Sequence, residues 1–197
     1  RTACMRASLD PLPQGTVGAG TGATVGKVLG IDRAVKSGIG SSCIQLPSGP
    51  KIAALVAVNA IGGIVDYRSA EILAGPRIHD TQDYHDSMNL LLDERISELT
   101  PPLSNTTIGI VATDANITKD ESNFIAQVSH DGLAMTIRPC HTIRDGDTRF
   151  TMATCLQPKA TDLTTLCAAA VEATAQAVIN AVKFATPLGN IPCIGEV

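Results

Sequence analysis

From residue 52 to 61 the chain reads Ile-Ala-Ala-Leu-Val-Ala-Val-Asn-Ala-Ile, with Asn59 the one polar side chain in the run. No apolar run in the sequence reaches the ~18 residues a membrane span needs, and this one predicts a strand covered on both faces. A second strand over Gly38–Gln45 precedes it. The turn-forming Pro47-Ser48-Gly49-Pro50 between them predicts a hairpin. Further strands are expected from Thr106 to Thr113 and from Arg149 to Cys155. Thr118, with Glu121 three residues later, opens a helix through a capping box. Phe124, Ile125, Val128, Leu133 and Ile137 then fall on one helical face. An alanine-rich helix is expected over Thr161–Ala185, stopped before Pro187 and Gly189. Strands alternating with helices make an α/β layered sandwich the expected fold class.

Composition narrows the function. The 197 residues are 44% hydrophobic and 17% charged, which excludes a disordered chain. Three Phe, two Tyr and no Trp, with a net charge of −4, argue against nucleic acid as a partner. The six cysteines, Cys4, Cys43, Cys140, Cys155, Cys167 and Cys193, have irregular gaps and form no C-x-x-C pair, so no zinc framework is expected. Cys43, Cys155 and Cys167 lie in apolar runs and read as small buried hydrophobes. This cysteine usage suggests a reducing cytoplasm, with no membrane association. The glycine-rich segment 15–26 contains Gly18-x-Gly20-x-x-Ala23, but no hydrophobic strand precedes it. Gly26-Lys27 is followed by Val28, where a phosphate loop needs Ser or Thr. Nucleotide binding is not expected. His79–Leu99 carries six acids against Arg95 alone and runs into Pro101-Pro102-Leu103-Ser104, reading as a partly helical, exposed linker. Its His79, Asp80, Asp83, His85 and Asp86 match no common metal-site spacing. His130 and His141 read as isolated structural histidines. No cofactor is expected.

The junction Ser104-Asn105-Thr106-Thr107 carries the chemistry, because an exposed linker there meets a buried-looking strand. A hydroxyl at such a place can attack the preceding carbonyl, shift the peptide to an ester and, after hydrolysis, become a new N-terminus. The freed α-amine has an ordinary pKa of ~7.7–8.0 and serves as general base for its own hydroxyl. Locally, Asn-Thr-Thr also reads as a plain turn entering a strand.

Five ordered motifs decide between these readings: Gly18-Ala-Gly-Thr-Gly-Ala-Thr-Val-Gly-Lys27, Leu55-Val-Ala-Val-Asn-Ala-Ile-Gly62, Asn105-Thr-Thr-Ile-Gly-Ile-Val-Ala-Thr-Asp114, His130-Asp-Gly-Leu-Ala134 and His141-Thr-Ile-Arg-Asp-Gly-Asp-Thr148. Together they resemble the self-cleaving aminopeptidase family that includes L-aminopeptidase/D-esterase, the β-peptidyl aminopeptidases and the nylon-oligomer endo-hydrolase. The resemblance implies a four-layer αββα sandwich, with residues 1–105 ending the α fragment and 106–197 forming the β fragment of one precursor. It implies Thr106 as nucleophile, Asn105 as the last residue of the α fragment after autocleavage and Asn59 as an oxyanion donor. Lys27 would hold an oxyanion or tune the new amine, and Asp145 and Asp147 would orient nucleophile and amine. The Asp-x-Asp form leans toward the nylon-hydrolase branch. The expected partners are a small peptide or amide substrate, the two fragments for each other, and further copies in a homo-oligomer, a tetramer by resemblance. Family chains carry well over a hundred residues before the glycine-rich segment, so the chain is expected to be part of a longer precursor.

Taken without the family, Asp145-Gly146-Asp147 can aim two carboxylates at one ammonium from a tight turn, or be a surface turn, and Lys27 can be a solvated lysine. Two other readings compete with an amidohydrolase: an acyltransferase of the ornithine acetyltransferase type, and a non-catalytic structural subunit with the same fold.

Overall fold

The computed structural model describes residues 5, 7–8, 10–79, 81–93, 105–158 and 161–195. A short ribbon of β1 (Thr24–Val25) and β2 (Val35–Lys36) follows the glycine-rich segment. The expected hairpin is present as β3 (Ile39–Gln45) and β4 (Lys51–Ala57), paired antiparallel from Ile39 opposite Ala57 to Gln45 opposite Lys51. Next come β5 (Gly63–Val65), β6 (Ile72–Ala74), the short helix α1 (Ser87–Leu92), and β7 (Ile108–Thr113). The C-terminal part holds α2 (Lys119–Val128), α3 (His130–Thr136), β8 (Ile137–Arg138), β9 (Thr148–Ala153) and α4 (Leu163–Lys183).

The principal sheet has the order β3-β4-β7-β9, antiparallel except for the parallel pair β7–β9. A smaller sheet, β6-β5-β8, contributes Ile64, Ala74 and Ile137 to the same core as Val56 and Val58. Two helices, α2 and α4, pack on one face of the principal sheet, and α3 packs against α4 and the smaller sheet. The 21-residue α4 is apolar enough by composition to cross a membrane, with mean hydropathy 1.3, but two thirds of it is buried against protein, as in a core helix. Its small side chains, Ala170, Ala173 and Ala177 among them, let it lie close to the strands. Gly40 marks the closest approach: a Cβ there would stand 1.9 Å from the Ala177 carbonyl oxygen.

Four expectations change. The run 52–61 is not covered on both faces. Ile52, Ala54 and Val56 are buried under the helices, whereas Ala53, Leu55 and Ala57 are only half-buried, and on the neighbouring strands Ile108 and Phe150 are exposed. The period of two is hidden because both faces carry apolar residues. The expected single helical face is divided at Ser129, so Phe124 turns outward and Ile137 belongs to a strand. Within the expected linker His79–Leu99 the described residues are partly helical as expected, in α1, but Tyr84 to Met88 are half-buried or buried rather than exposed, and Asp86 caps α1 through the Met88 amide. Asp86 also pairs with Arg138 at 3.4 Å. Asp80 and residues 94–104, including the Pro-Pro segment, lie outside the described residues. Cys167 is buried as expected, but Cys43 and Cys155 are exposed.

Topology gathers the site. Because β7 runs parallel to β9 and antiparallel to β4, the start of β7, the start of β9 and the end of β4 share one end of the sheet. The row Ile39–Ala57–Ile108–Thr148 is its last full rung. Beyond it, Asn105 bridges Asp145 in the parallel sense.

Candidate active site

Asn59 sits just past the end of β4, and its carbonyl accepts the Thr106 N–H at 2.8 Å. The Thr106 hydroxyl donates to the Asn105 carbonyl oxygen at 2.5 Å. That same carbonyl accepts the Gly146 N–H at 3.0 Å. Gly146 is tightly constrained, since a Cβ there would lie 2.8 Å from Thr106 Oγ1. Thr106 also opens onto a cavity of about 350 Å³ that it lines with Gly22, Ala23, Ala57, Asn59 and Ile108. The glycine-rich segment therefore forms a wall of the site.

Lys27, two residues beyond β1, is almost wholly buried at 2% exposure, and its Nζ donates to Asn59 Oδ1 at 2.6 Å. An ammonium can only donate, so this bond fixes the Asn59 amide with its oxygen toward Lys27. Thr24 adds its backbone N–H to the same oxygen at 3.3 Å. The donor end of the amide is then the Nδ2 group. Burial pulls the Lys27 pKa down to about 8, while the charge on Asp145 partly restores it.

The two carboxylates hold different partners. Asp145 Oδ2 accepts the Thr142 hydroxyl at 2.6 Å and its amide at 3.1 Å, fixing the loop, while Oδ1 stands 3.5 Å from the Ile61 amide nitrogen. Asp147 Oδ1 accepts the Thr107 N–H at 2.8 Å, directly beside Thr106. Its Oδ2 lies 2.8 Å from His141 Nδ1 and 3.5 Å from Cys140 Sγ. Thr106, Asn105, Asn59, Lys27, Asp145 and Asp147 thus gather at one end of the sheet from four segments of the chain.

Sequence reasoning missed several residues here. His141 is not isolated: it pairs with Asp147, and its ring lies 4.9 Å, centroid to centroid, from that of His130. Burial first, then His141 and Arg149, hold His130 below the ordinary histidine range. Cys140 is a thiol donor to Asp147, and burial together with that carboxylate pushes its pKa far up, which leaves it a poor nucleophile. Gly146 was legible only as a turn residue. The motifs His130–Ala134 and His141–Thr148 contained these side chains, but no local spacing paired them.

A hydroxyl, a buried ammonium, an oriented amide and paired carboxylates, placed where strands end on a helix-backed sheet, fit the N-terminal-nucleophile hydrolase fold. The L-aminopeptidase D-Ala-esterase/amidase of Ochrobactrum anthropi, described as a variant of that fold, superimposes with a TM-score of 0.60 at 20% identity, over 94% of this chain and 48% of its own. The profile of Peptidase family S58 matches residues 1–191, and the chain belongs to that family. An uncharacterized aminopeptidase of Mycobacterium leprae is 38% identical over 90% of this chain and 51% of its own length. A 6-aminohexanoate-oligomer endohydrolase of Paenarthrobacter ureafaciens is 34% identical over 72% of this chain and 40% of its own. The chain spans about half the length of such curated relatives.

Proposed function

We propose that this chain carries the nucleophile of a self-processing N-terminal-threonine amidohydrolase, acting on small peptides or ω-amino-acid oligomers. The observation that carries the reading is the Asn105 carbonyl, engaged at once by the Thr106 hydroxyl and the Gly146 N–H. In processing, Thr106 Oγ1 attacks the Asn105 carbonyl carbon, and the negative charge that develops on the carbonyl oxygen is met by the Gly146 N–H. Collapse breaks the C–N bond and leaves an ester. Water then releases Asn105 with its carboxylate and Thr106 with a free α-amine. The freed nitrogen is the one now held by the Asn59 carbonyl.

In turnover that amine, with a pKa of ~7.7–8.0, takes the Thr106 hydroxyl proton as the oxygen attacks a substrate amide. Asn59 Nδ2 and the Lys27 ammonium are the groups suited to the new oxyanion, and Asp147 anchors the strand start through Thr107. The cavity lined by Thr106 and Asn59 with Gly22, Ala23, Ala57 and Ile108 suits a small, weakly polar acyl group beside the scissile amide. The names of the relatives, aminopeptidase and 6-aminohexanoate-oligomer endohydrolase, support the same substrate class.

On this reading residues 1–197 belong to one domain, cut into an α fragment that ends at Asn105 and a β fragment that begins at Thr106, which stay together in a cytoplasmic homo-oligomer. Intact-mass analysis of active protein tests it. Two masses that divide after Asn105, with an acylating probe on Thr106, are expected. Active material that contains only the uncut 20.4 kDa chain rules the mechanism out.

A further inference from the structure

We propose that Cys140, His141 and Asp147 form a binding site for a thiophilic divalent cation of the Zn²⁺ class, set against the back of the site described above. Sulfur, nitrogen and oxygen donors from the end of β8 and the approach to β9 converge there, with all three ligand atoms within 4.8 Å of one another. Zinc bonds of about 2.3 Å to sulfur and 2.0–2.2 Å to nitrogen and oxygen place ligand atoms roughly 3.3–3.6 Å apart in a tetrahedron. The Cys140 Sγ–Asp147 Oδ2 distance of 3.5 Å already meets this, and His141 Nδ1–Asp147 Oδ2 at 2.8 Å has to open by about 0.5 Å.

The outer contacts suit a ligand set. The other oxygen of Asp147 is anchored by the Thr107 N–H, which aims Oδ2 at the thiol and the imidazole, and the His130 ring packs beside that of His141. The Asp147 side chain is nearly buried at 5% exposure, whereas His141 is 38% exposed and gives the entry path. One thiolate and one carboxylate neutralise a dication, and three protein ligands leave a fourth position for water. On binding, the thiol proton passes to solvent, and His141 coordinates through Nδ1 with its proton on Nε2.

Binding itself does not depend on the role given to Thr106. The effect on turnover does rest on the proposed function: an ion held by Asp147 cancels the carboxylate's charge beside the Thr106 amine, so the occupied site is an inhibited one.

The test is titration of the full chain with Co²⁺, in a background where the other exposed or N-terminal thiols, Cys4, Cys43 and Cys155, are replaced by Ser. A sulfur-to-cobalt charge-transfer band in the near ultraviolet is expected, saturating at one equivalent and displaced by Zn²⁺. Cys140→Ser should abolish the band. His141→Gln, at an exposed position, should weaken binding about tenfold or more while the circular dichroism spectrum stays unchanged. A band that persists in Cys140→Ser, or no uptake of Co²⁺ or Zn²⁺ at millimolar concentration, overturns the site. Zn²⁺ should inhibit the processed protein, reversibly with chelator. Stoichiometric binding with unchanged turnover keeps the cation site and overturns instead the part given to Asp147 in catalysis.

Discussion

Two lysines of the small β1–β2 region are equally hidden, Lys27 and Lys36, each 2% exposed. Lys36 Nζ donates to the Thr21 carbonyl at 2.8 Å, and burial alone lowers its pKa. Lys27 is desolvated too, but its ammonium meets the Asn59 amide and the field of Asp145, and the Asn59 carbonyl in turn holds the Thr106 nitrogen. Burial of a charge therefore does not define a site. What separates the two is the company: around Lys27 an acceptor, a carboxylate and a hydroxyl nucleophile converge, and around Lys36 a backbone oxygen satisfies a cation that packs.

The comparison fails at its root unless Thr106 is the reacting group. Thr106→Ala should remove both processing and hydrolysis, a loss of at least about a thousandfold in kcat/KM, whereas Thr106→Ser should keep part of each. If Thr106→Ala retains hydrolysis, Lys27 has no reaction to serve.

Asp147→Asn should lower turnover of processed protein about a hundredfold, through lost orientation of the strand start at Thr107. Loss of a negative charge beside the Thr106 amine should also lower that amine's pKa and move the acid limb of the rate profile to lower pH. An unchanged profile and rate would reduce the Asp145–Asp147 loop to turn chemistry.

Lys27→Met should cost roughly tenfold to a hundredfold in kcat/KM and erase an alkaline limb near pH 8, where the wild-type ammonium deprotonates. The sign for stability is opposite. Folded Lys27 has a pKa of about 8 against 10.5 unfolded, so between those values the unfolded chain binds more protons and stability climbs with pH. Urea unfolding from pH 7 to 10.5 should show that climb, up to about 3 kcal/mol, in the wild type and a shallower one in Lys27→Met.

Lys36→Met, the smallest effect, should leave kcat/KM unchanged and stability within about 1 kcal/mol, or raised, because an unpaired buried cation is exchanged for an apolar side chain of similar length. A loss of activity there as large as at Lys27 would erase the distinction.

Much of this was legible locally. The hairpin, the Thr118–Glu121 capping box and the alanine-rich helix follow from turn residues, caps and periodicity, and all stand within a few residues of their expected bounds. Thr106, Asn59 and Lys27 were legible only through the ordered motifs and the family these resemble, since locally Asn105-Thr106-Thr107 also reads as a turn and Lys27 as a solvated lysine. The pairs that complete the site were not. Gly146 with the Asn105 carbonyl depends on the register that sets Asn105 beside Asp145, forty residues on, and His141 with Asp147 depends on how the loop before β9 folds back, which residue spacing does not encode. Asp86 was read as one solvated acid among several because helix caps use the same residue types as a charged surface.

The six-rung ladder between β4 and β7 joins the part of the chain before Asn105 to the part after it. If the bond at Asn105 is cut, that ladder becomes the seam between two molecules, and unfolding changes from a first-order event into a dissociation. The midpoint of melting then depends on protein concentration, and recovery requires two strangers to meet again rather than one chain to close on itself. Because the cut that arms Thr106 consumes the loop that made folding unimolecular, the working form is sustained by how slowly it comes apart, and its lifetime rather than its equilibrium stability sets how long it persists.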